Sequence, residues 1–134
     1  MVDSWAIHKL FRDYCWGVDY VDLELLGSVM TEDGTLEIEI KGADTVGPFP
    51  NRQAILDFTR DVRAGQGDAR FHVFTNLGIE ENGANIRATV FALIIKAAAG
   101  VVTLQTAGVY TADIVRDGES YRIRRMHLIL EAPF

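Results

Sequence analysis

The second half of the chain constrains the fold most. Four stretches, 70–81, 85–97, 101–114 and 120–131, read as strands separated by short connections. Glu81-Asn82-Gly83 and Arg116-Asp117-Gly118-Glu119 are hairpin signals, because Gly, Asn and Asp tolerate the backbone reversal of a tight turn. Ala97-Ala98-Ala99-Gly100 is the third connection. Residues 70–131 therefore predict a four-strand antiparallel meander, and the remaining chain must cover it.

The first half predicts helices. Ser4 reads as an N-cap, and Ile7, Leu10, Phe11, Tyr14, Cys15 and Val18 recur on one helical face, with Lys9, Arg12 and Asp13 on the other. Gly17 weakens this helix near its end by about 1 kcal/mol relative to Ala. Asp19 and Asp22 bracket a second helix with the stripe Leu23, Leu26, Val29 and Met30, followed by a turn at Glu32-Asp33-Gly34. Residues 35–40 alternate strictly, as in a strand with one wet face. Residues 42–50, with Gly47, Pro48 and Pro50, read as loop. Asn51 caps a third helix, 52–63, whose apolar face is Ala54, Ile55, Phe58 and Val62. Gly65-Gln66-Gly67 ends it.

Helices segregated from strands give an α+β fold in one domain, 1–134. Long strands beside three N-terminal helices predict a strongly curved antiparallel sheet wrapped around them, with Gly78 and Gly108 marking bulges or bends. Such a sheet leaves a cone-shaped apolar pocket suited to a small apolar molecule. Segments 90–95 and 101–104 are too apolar to leave wet on either face, which predicts a homo-oligomer through the convex side.

Composition excludes other classes. The net charge of −6, without a basic run, argues against nucleic acid, whose binding requires neutralising phosphates. No stretch reaches the roughly 18 apolar residues of a membrane span. The N-terminus lacks a charged leader and an apolar core, so a cytoplasmic location is the default. Cys15 is alone, and His8, His72 and His127 form no i,i+4 pair, so neither disulfide nor metal is expected. Nucleotide-binding and nucleophile-elbow motifs are absent, so no cofactor is expected.

Three residues can carry chemistry. His72 shares a face of its strand with Phe74 and Asn76, opposite Phe71, Val73, Thr75 and Leu77. A histidine there is either a core residue bonded to a backbone carbonyl or a general base. Asp19 either caps the second helix or holds a histidine's second nitrogen. Tyr14 is either a core tyrosine or a donor to a substrate oxygen. Residues five apart on a helix point about 140° from each other, so Tyr14 and Asp19 converge only if the helix loosens at Gly17. Phe58, Phe74 and Asn76 are candidate substrate contacts. Arg122, Arg124 and Arg125 cluster on the last strand, where one can turn inward to meet an anion or carbonyl.

These features together resemble the SnoaL-like group of the nuclear transport factor 2-like superfamily. The marks are Tyr14…Val18-Asp19-x-x-Asp22 leading to Thr31-Glu32-Asp33, Gly47 before the third helix, His72-Val-Phe-Thr-Asn76, Gly108-Val-Tyr110, and Arg116-Asp117-Gly118. The resemblance implies a cystatin-like α+β barrel and is nearest to scytalone dehydratase, hexachlorocyclohexane dehydrochlorinase and bile-acid 7α-dehydratase. Those enzymes pair a histidine base with an aspartate, and Asp19 and His72 match these positions. Tyr14 falls where the bile-acid enzyme has a tyrosine and the dehydrochlorinase a lysine. The dehydrochlorinase arginine falls near Arg125 or Met126; Ala107 stands near the second histidine of scytalone dehydratase. The carboxylates of ketosteroid isomerase have no counterparts.

The implied activity is a cofactor-independent lyase, a dehydratase or related elimination, acting on a small apolar cyclic substrate. An isomerase or cyclase using the same base, or a non-catalytic binding or assembly module, is the alternative. The dehydratase likeness favours a trimer, with a dimer also open.

Overall fold

The computed structural model describes the whole chain, Met1–Phe134. Three helices, α1 (Ser4–Asp19), α2 (Leu23–Val29) and α3 (Arg52–Ala64), accompany six strands. These are β1 (Met30–Ile40), β2 (Val46–Phe49), β3 (Ala69–Asn82), β4 (Asn85–Ala98), β5 (Val101–Asp117) and β6 (Ser120–Leu130). They form one sheet in the order β2-β1-β6-β5-β4-β3. The meander β3 to β6 is antiparallel throughout, and β2 pairs antiparallel with β1. Only β1 and β6 run parallel, so the α+β sheet is mixed rather than purely antiparallel.

Several boundaries differ from the sequence reading. Asp3, not Ser4, caps α1: its carboxylate accepts from the backbone N–H groups of Trp5 and Ala6, leaving Ser4 as the first helical residue. Helix α2 stops at Val29, and Met30 is already extended. The Glu32-Asp33-Gly34 segment lies inside β1, at its irregular register against β6, rather than in a turn. The 42–50 loop contains β2, an edge strand, where a proline removes no needed hydrogen bond. Asp13, placed on the wet face by periodicity, is buried and held by Lys9 and Arg12.

Helix α1 does not loosen at Gly17. It continues to Asp19, and Gly17 marks the point where α1 and α2 touch. A Cβ there would lie 2.8 Å from the Leu26 Cβ. The connection to α2 then reverses through Val21, whose φ of 53° is unusual for a β-branched residue.

Irregular registers bend the sheet. One extra residue is inserted in β3 between Thr75 and Gly78, one in β5 opposite Ile94/Ile95, and one in β6 opposite Asp113/Ile114. Such bulges increase twist and turn a flat sheet into a trough. Val90, Tyr110, Ile114, Ile123 and Met126 line its concave side and form one core with Ile7, Phe11, Leu26 and Ile55 of the helices. The convex side carries Phe71, Val73, Phe91, Val102, Leu104 and Ile129, all substantially exposed. Gly108 sits at the closest approach of β5 to β6, where a Cβ would lie 2.0 Å from the Ile129 carbonyl oxygen.

A methyl group at that point must push two paired strands apart. Gly108→Ala is therefore expected to lower stability by about 1–3 kcal/mol, as overpacking of a closed core does. Urea unfolding measures it, and an unchanged midpoint would contradict the close approach.

Candidate active site

Strand β3 is one of the two edges of the sheet, and the last turn of α1 lies against it. One Asp19 oxygen, Oδ2, accepts the His72 backbone N–H at 2.8 Å. The other, Oδ1, accepts the ring Nδ1–H at 2.6 Å. One turn earlier, Cys15 Sγ donates to the His72 carbonyl at 3.3 Å. The main-chain groups of a single edge residue are thus satisfied by two side chains of α1. With Nδ1–H committed to a carboxylate, Nε2 of the neutral ring is an acceptor.

The bland alternatives fit this geometry poorly. The N-cap of α2 is Asp22, whose Oδ1 accepts from the Leu25 N–H at 3.0 Å, so Asp19 is not needed there. The partner of the His72 ring is a carboxylate, not a backbone carbonyl.

His72 and Asp19 line two spaces. One is an inner cavity of about 70 Å³, walled by Tyr14, Val18, Phe58 and Tyr110 among others and reached by Arg63, Gln66 and Arg70. The other is an outer cleft of about 560 Å³ between α1 and β3, lined by Phe11, Trp16, Tyr20, Phe71 and Phe74. Tyr14 and Asp19 both reach the inner cavity although the helix between them is unbroken.

Burial raises the Tyr14 phenol far above its usual range, and Cys15 and Asp19 add to the shift. Tyr110 is raised likewise by burial, then by Tyr14, Cys15 and Asp19. Both phenols therefore stay protonated and remain hydrogen-bond donors. The Cys15 thiol is pushed up to about 12, by burial first and by Asp19 second, so it serves as a donor and not as a nucleophile.

The other sequence candidates separate. Phe58 lines the inner cavity and packs on Phe49 with ring centroids 4.3 Å apart. Phe74 meets Phe11 and Tyr110 edge-on at 5.4 and 5.1 Å, close beside the His72 ring, but faces the outer cleft. Asn76 lines the outer cleft with His72 and Phe74 but does not reach the inner cavity. The β3 bulge puts it in the left-handed region, φ 58°, and its Oδ1 accepts from the exposed Thr75 hydroxyl. Leu77 takes the inward position instead and packs on the core. Arg125 lines neither space. The β6 bulge leaves Arg124 and Arg125 both exposed, and Arg125 lies 3.7 Å from Asp113.

Two site residues were missed. Tyr110 shares the concave face of β5 with Ala112 and Ile114, an alternation that the sequence displays. Arg63 extends from the last turn of α3: Nη2 donates to the Asp19 carbonyl at 3.2 Å and Nη1 to Gln66 Oε1. Helical periodicity gave no sign of this, since the contact depends on where α3 ends. No three His, Cys, Asp or Glu side chains gather to hold a metal ion, and no helix is long and apolar enough to cross a membrane.

The raised thiol has a measurable consequence. A shift from 9.0 to about 12 lowers the thiolate fraction about a thousandfold at a fixed pH below both values. Iodoacetamide is expected to alkylate Cys15 in the native protein on the order of 10³-fold more slowly than in urea at pH 8. Comparable rates would show that the thiol is not buried as described.

No curated protein matches the chain significantly in sequence. Solved structures do match in fold. ActVI-ORFA from Streptomyces coelicolor superposes with a TM-score of 0.83 at 17% identity, covering 95% of this chain and 96% of that one. An NTF2-like protein with a cystatin-like fold from Novosphingobium aromaticivorans gives 0.79 at 22%, covering 96% and 81%. A Catenulispora acidiphila protein in complex with S-DNPA gives 0.81 at 18%, covering 95% and 92%. The profile of the SnoaL-like domain matches residues 1–127, nearly the whole chain, and the chain belongs to the SnoaL-like domain family.

Proposed function

We propose that the chain is a cofactor-independent lyase that eliminates water or a related leaving group from a small, largely apolar cyclic substrate. One observation carries this reading: both oxygens of Asp19 hold His72, leaving Nε2 as the free nitrogen of a ring that lines an apolar cavity. In the reaction, Nε2 takes a proton from carbon, and the C–H electron pair becomes the new C=C bond. The leaving group departs with the electrons of its own bond and takes up the proton that Nε2 carries, which returns the ring to its neutral form. Asp19 orients the ring and stabilises the imidazolium that forms. The Tyr14 phenol, kept protonated by burial, donates to the carbonyl or to the departing oxygen. Apolar walls exclude water and strengthen these interactions. The small molecule bound by the Catenulispora relative supports a ligand-binding role for the same fold. An isomerase or cyclase would use the same base and differ in where the proton returns.

A minimal probe is 3-hydroxycyclohexanone, a β-hydroxyketone that gives 2-cyclohexenone on losing water, followed by absorbance. His72→Ala is expected to fall to the buffer rate. Asp19→Asn is expected to lose about 10²–10⁴-fold, because an amide carries no charge and can present the wrong partner to the ring. Tyr14→Phe is expected to lose about 10²-fold. An Asp19→Asn protein that melts earlier but turns over at the wild-type rate would leave Asp19 a structural residue only.

The convex face supports a second part of the proposal, a homo-oligomer. Phe71 pairs with Ile95, Val73 with Leu93, Phe91 with Val109, and Ile95 with Leu104, so exposed and half-buried side chains form one apolar ladder across three strands. A continuous patch of this kind is seldom left in water. We favour a trimer, with a dimer as the other closed arrangement. Light scattering is expected to give a multiple of the chain mass at micromolar protein, and Phe91→Glu is expected to yield monomers. A monomeric wild type would sink the assembly and leave the site untouched.

A further inference from the structure

The inner cavity has one cationic wall that the elimination chemistry does not use. Arg63 sits in the last turn of α3, where a positive charge complements the helix dipole. Its two recorded hydrogen-bond partners are neutral oxygens, the Asp19 carbonyl and Gln66 Oε1. These tie α3 to α1 and use one N–H of each terminal nitrogen, leaving a second N–H on each. Nε is buried with no partner, and no carboxylate pairs with the guanidinium although the residue lines the cavity. A desolvated guanidinium without a counter-charge is costly, and an anion at its terminal N–H groups would offset that cost.

The surroundings have the same sign. Arg70, another lining residue, forks onto Asp68 through Nε and Nη2 at 2.6 and 3.3 Å. The Asp68 carboxyl is held below its usual range, mainly by that hydrogen bond and further by the charges of Arg70, Lys96 and Arg63. Two cations, Arg63 and Arg70, thus line this cavity, although the chain as a whole carries −6. Asp19, the other carboxylate nearby, has both oxygens engaged by His72. Asp19 also fixes the distance scale. It holds the His72 ring through its side chain and Arg63 through its backbone carbonyl, so base and guanidinium flank a single residue.

We propose that Arg63 binds a carboxylate on the substrate, so that the ligand of this cavity is a small cyclic acid and not a neutral ring. This rests on the reading of the cavity as the substrate site and deepens it. The acid's ring would lie among Phe58, Tyr14 and Tyr110, and its carboxylate at the Arg63 end, with Gln66 as a further donor. An arginine is suited to this task because its planar fork matches a carboxylate and stays charged at every working pH.

The test uses an isosteric pair, benzoate and benzamide, titrated calorimetrically at pH 7 into the intact protein and its variants. Benzoate is expected to bind at least about tenfold more tightly than benzamide, the effect of one charge-assisted contact. Arg63→Gln is expected to bring the ratio near one. Arg63→Lys keeps the charge without the fork and is expected to give an intermediate ratio; melting curves establish that each variant is folded. Equal affinities in the wild type, no saturable benzoate binding, or an acid preference that survives in folded Arg63→Gln would each overturn the proposal. The lyase reading fails separately. Acid preference without turnover of any β-hydroxy ketone or acid would leave Arg63 its role and remove that of His72. Turnover without acid preference would do the reverse.

Discussion

The bifurcated grip of Asp19 on His72 joins the fold to the site. A sheet edge exposes unpaired N–H and C=O groups, and here one such residue is closed by a carboxylate and a thiol from α1. The same carboxylate fixes the imidazole. Hydrogen bonds to a charged group contribute about 1.5–3 kcal/mol each, so docking of α1 on β3 and orientation of the ring share one energetic source. Removing Asp19 frees the edge and the ring together. A stability measurement alone therefore does not separate its two roles.

Much of the architecture was legible because periodicity reports which face of an element is buried. The three helices, the 35–40 strand and the four-strand meander follow from spacing and turn residues. What periodicity does not report is a change of phase. Each bulge adds one residue and reverses inside and outside beyond it. His72 and Phe74 precede the β3 bulge and face the core side; Asn76 sits in it, and Leu77 replaces it inward. Arg125 follows the extra residue of β6 and emerges on the surface. Gly78 pointed to irregularity near the first site, but nothing marked the second.

Asp19 and His72 were singled out for a different reason. Each has an ordinary structural reading, as a helix cap and as a core histidine, and it was the resemblance to the SnoaL-like group that paired them. Arg63 was not legible, because a basic residue in the last turn of a helix is ordinary. Its importance arises only from the tertiary placement of α3 beside the end of α1. Gly17 shows the reverse error. A glycine near a helix end suggests unwinding, yet here it makes room for Leu26, and the helix continues to Asp19.

The cavity itself explains why its polar groups can be few. Burial holds both tyrosines protonated, and it strengthens any hydrogen bond they give by excluding water from the donors. The same exclusion penalises any charge left unpaired, so an imidazole, two phenols, a carboxylate and a guanidinium can share the space only if each charge has a defined partner. Asp19 meets that condition through His72. Arg63 meets it incompletely, since its Nε is buried without an acceptor and no carboxylate pairs with it. Among lining residues that are mostly apolar, this is the one charge that the proposed acid would complete.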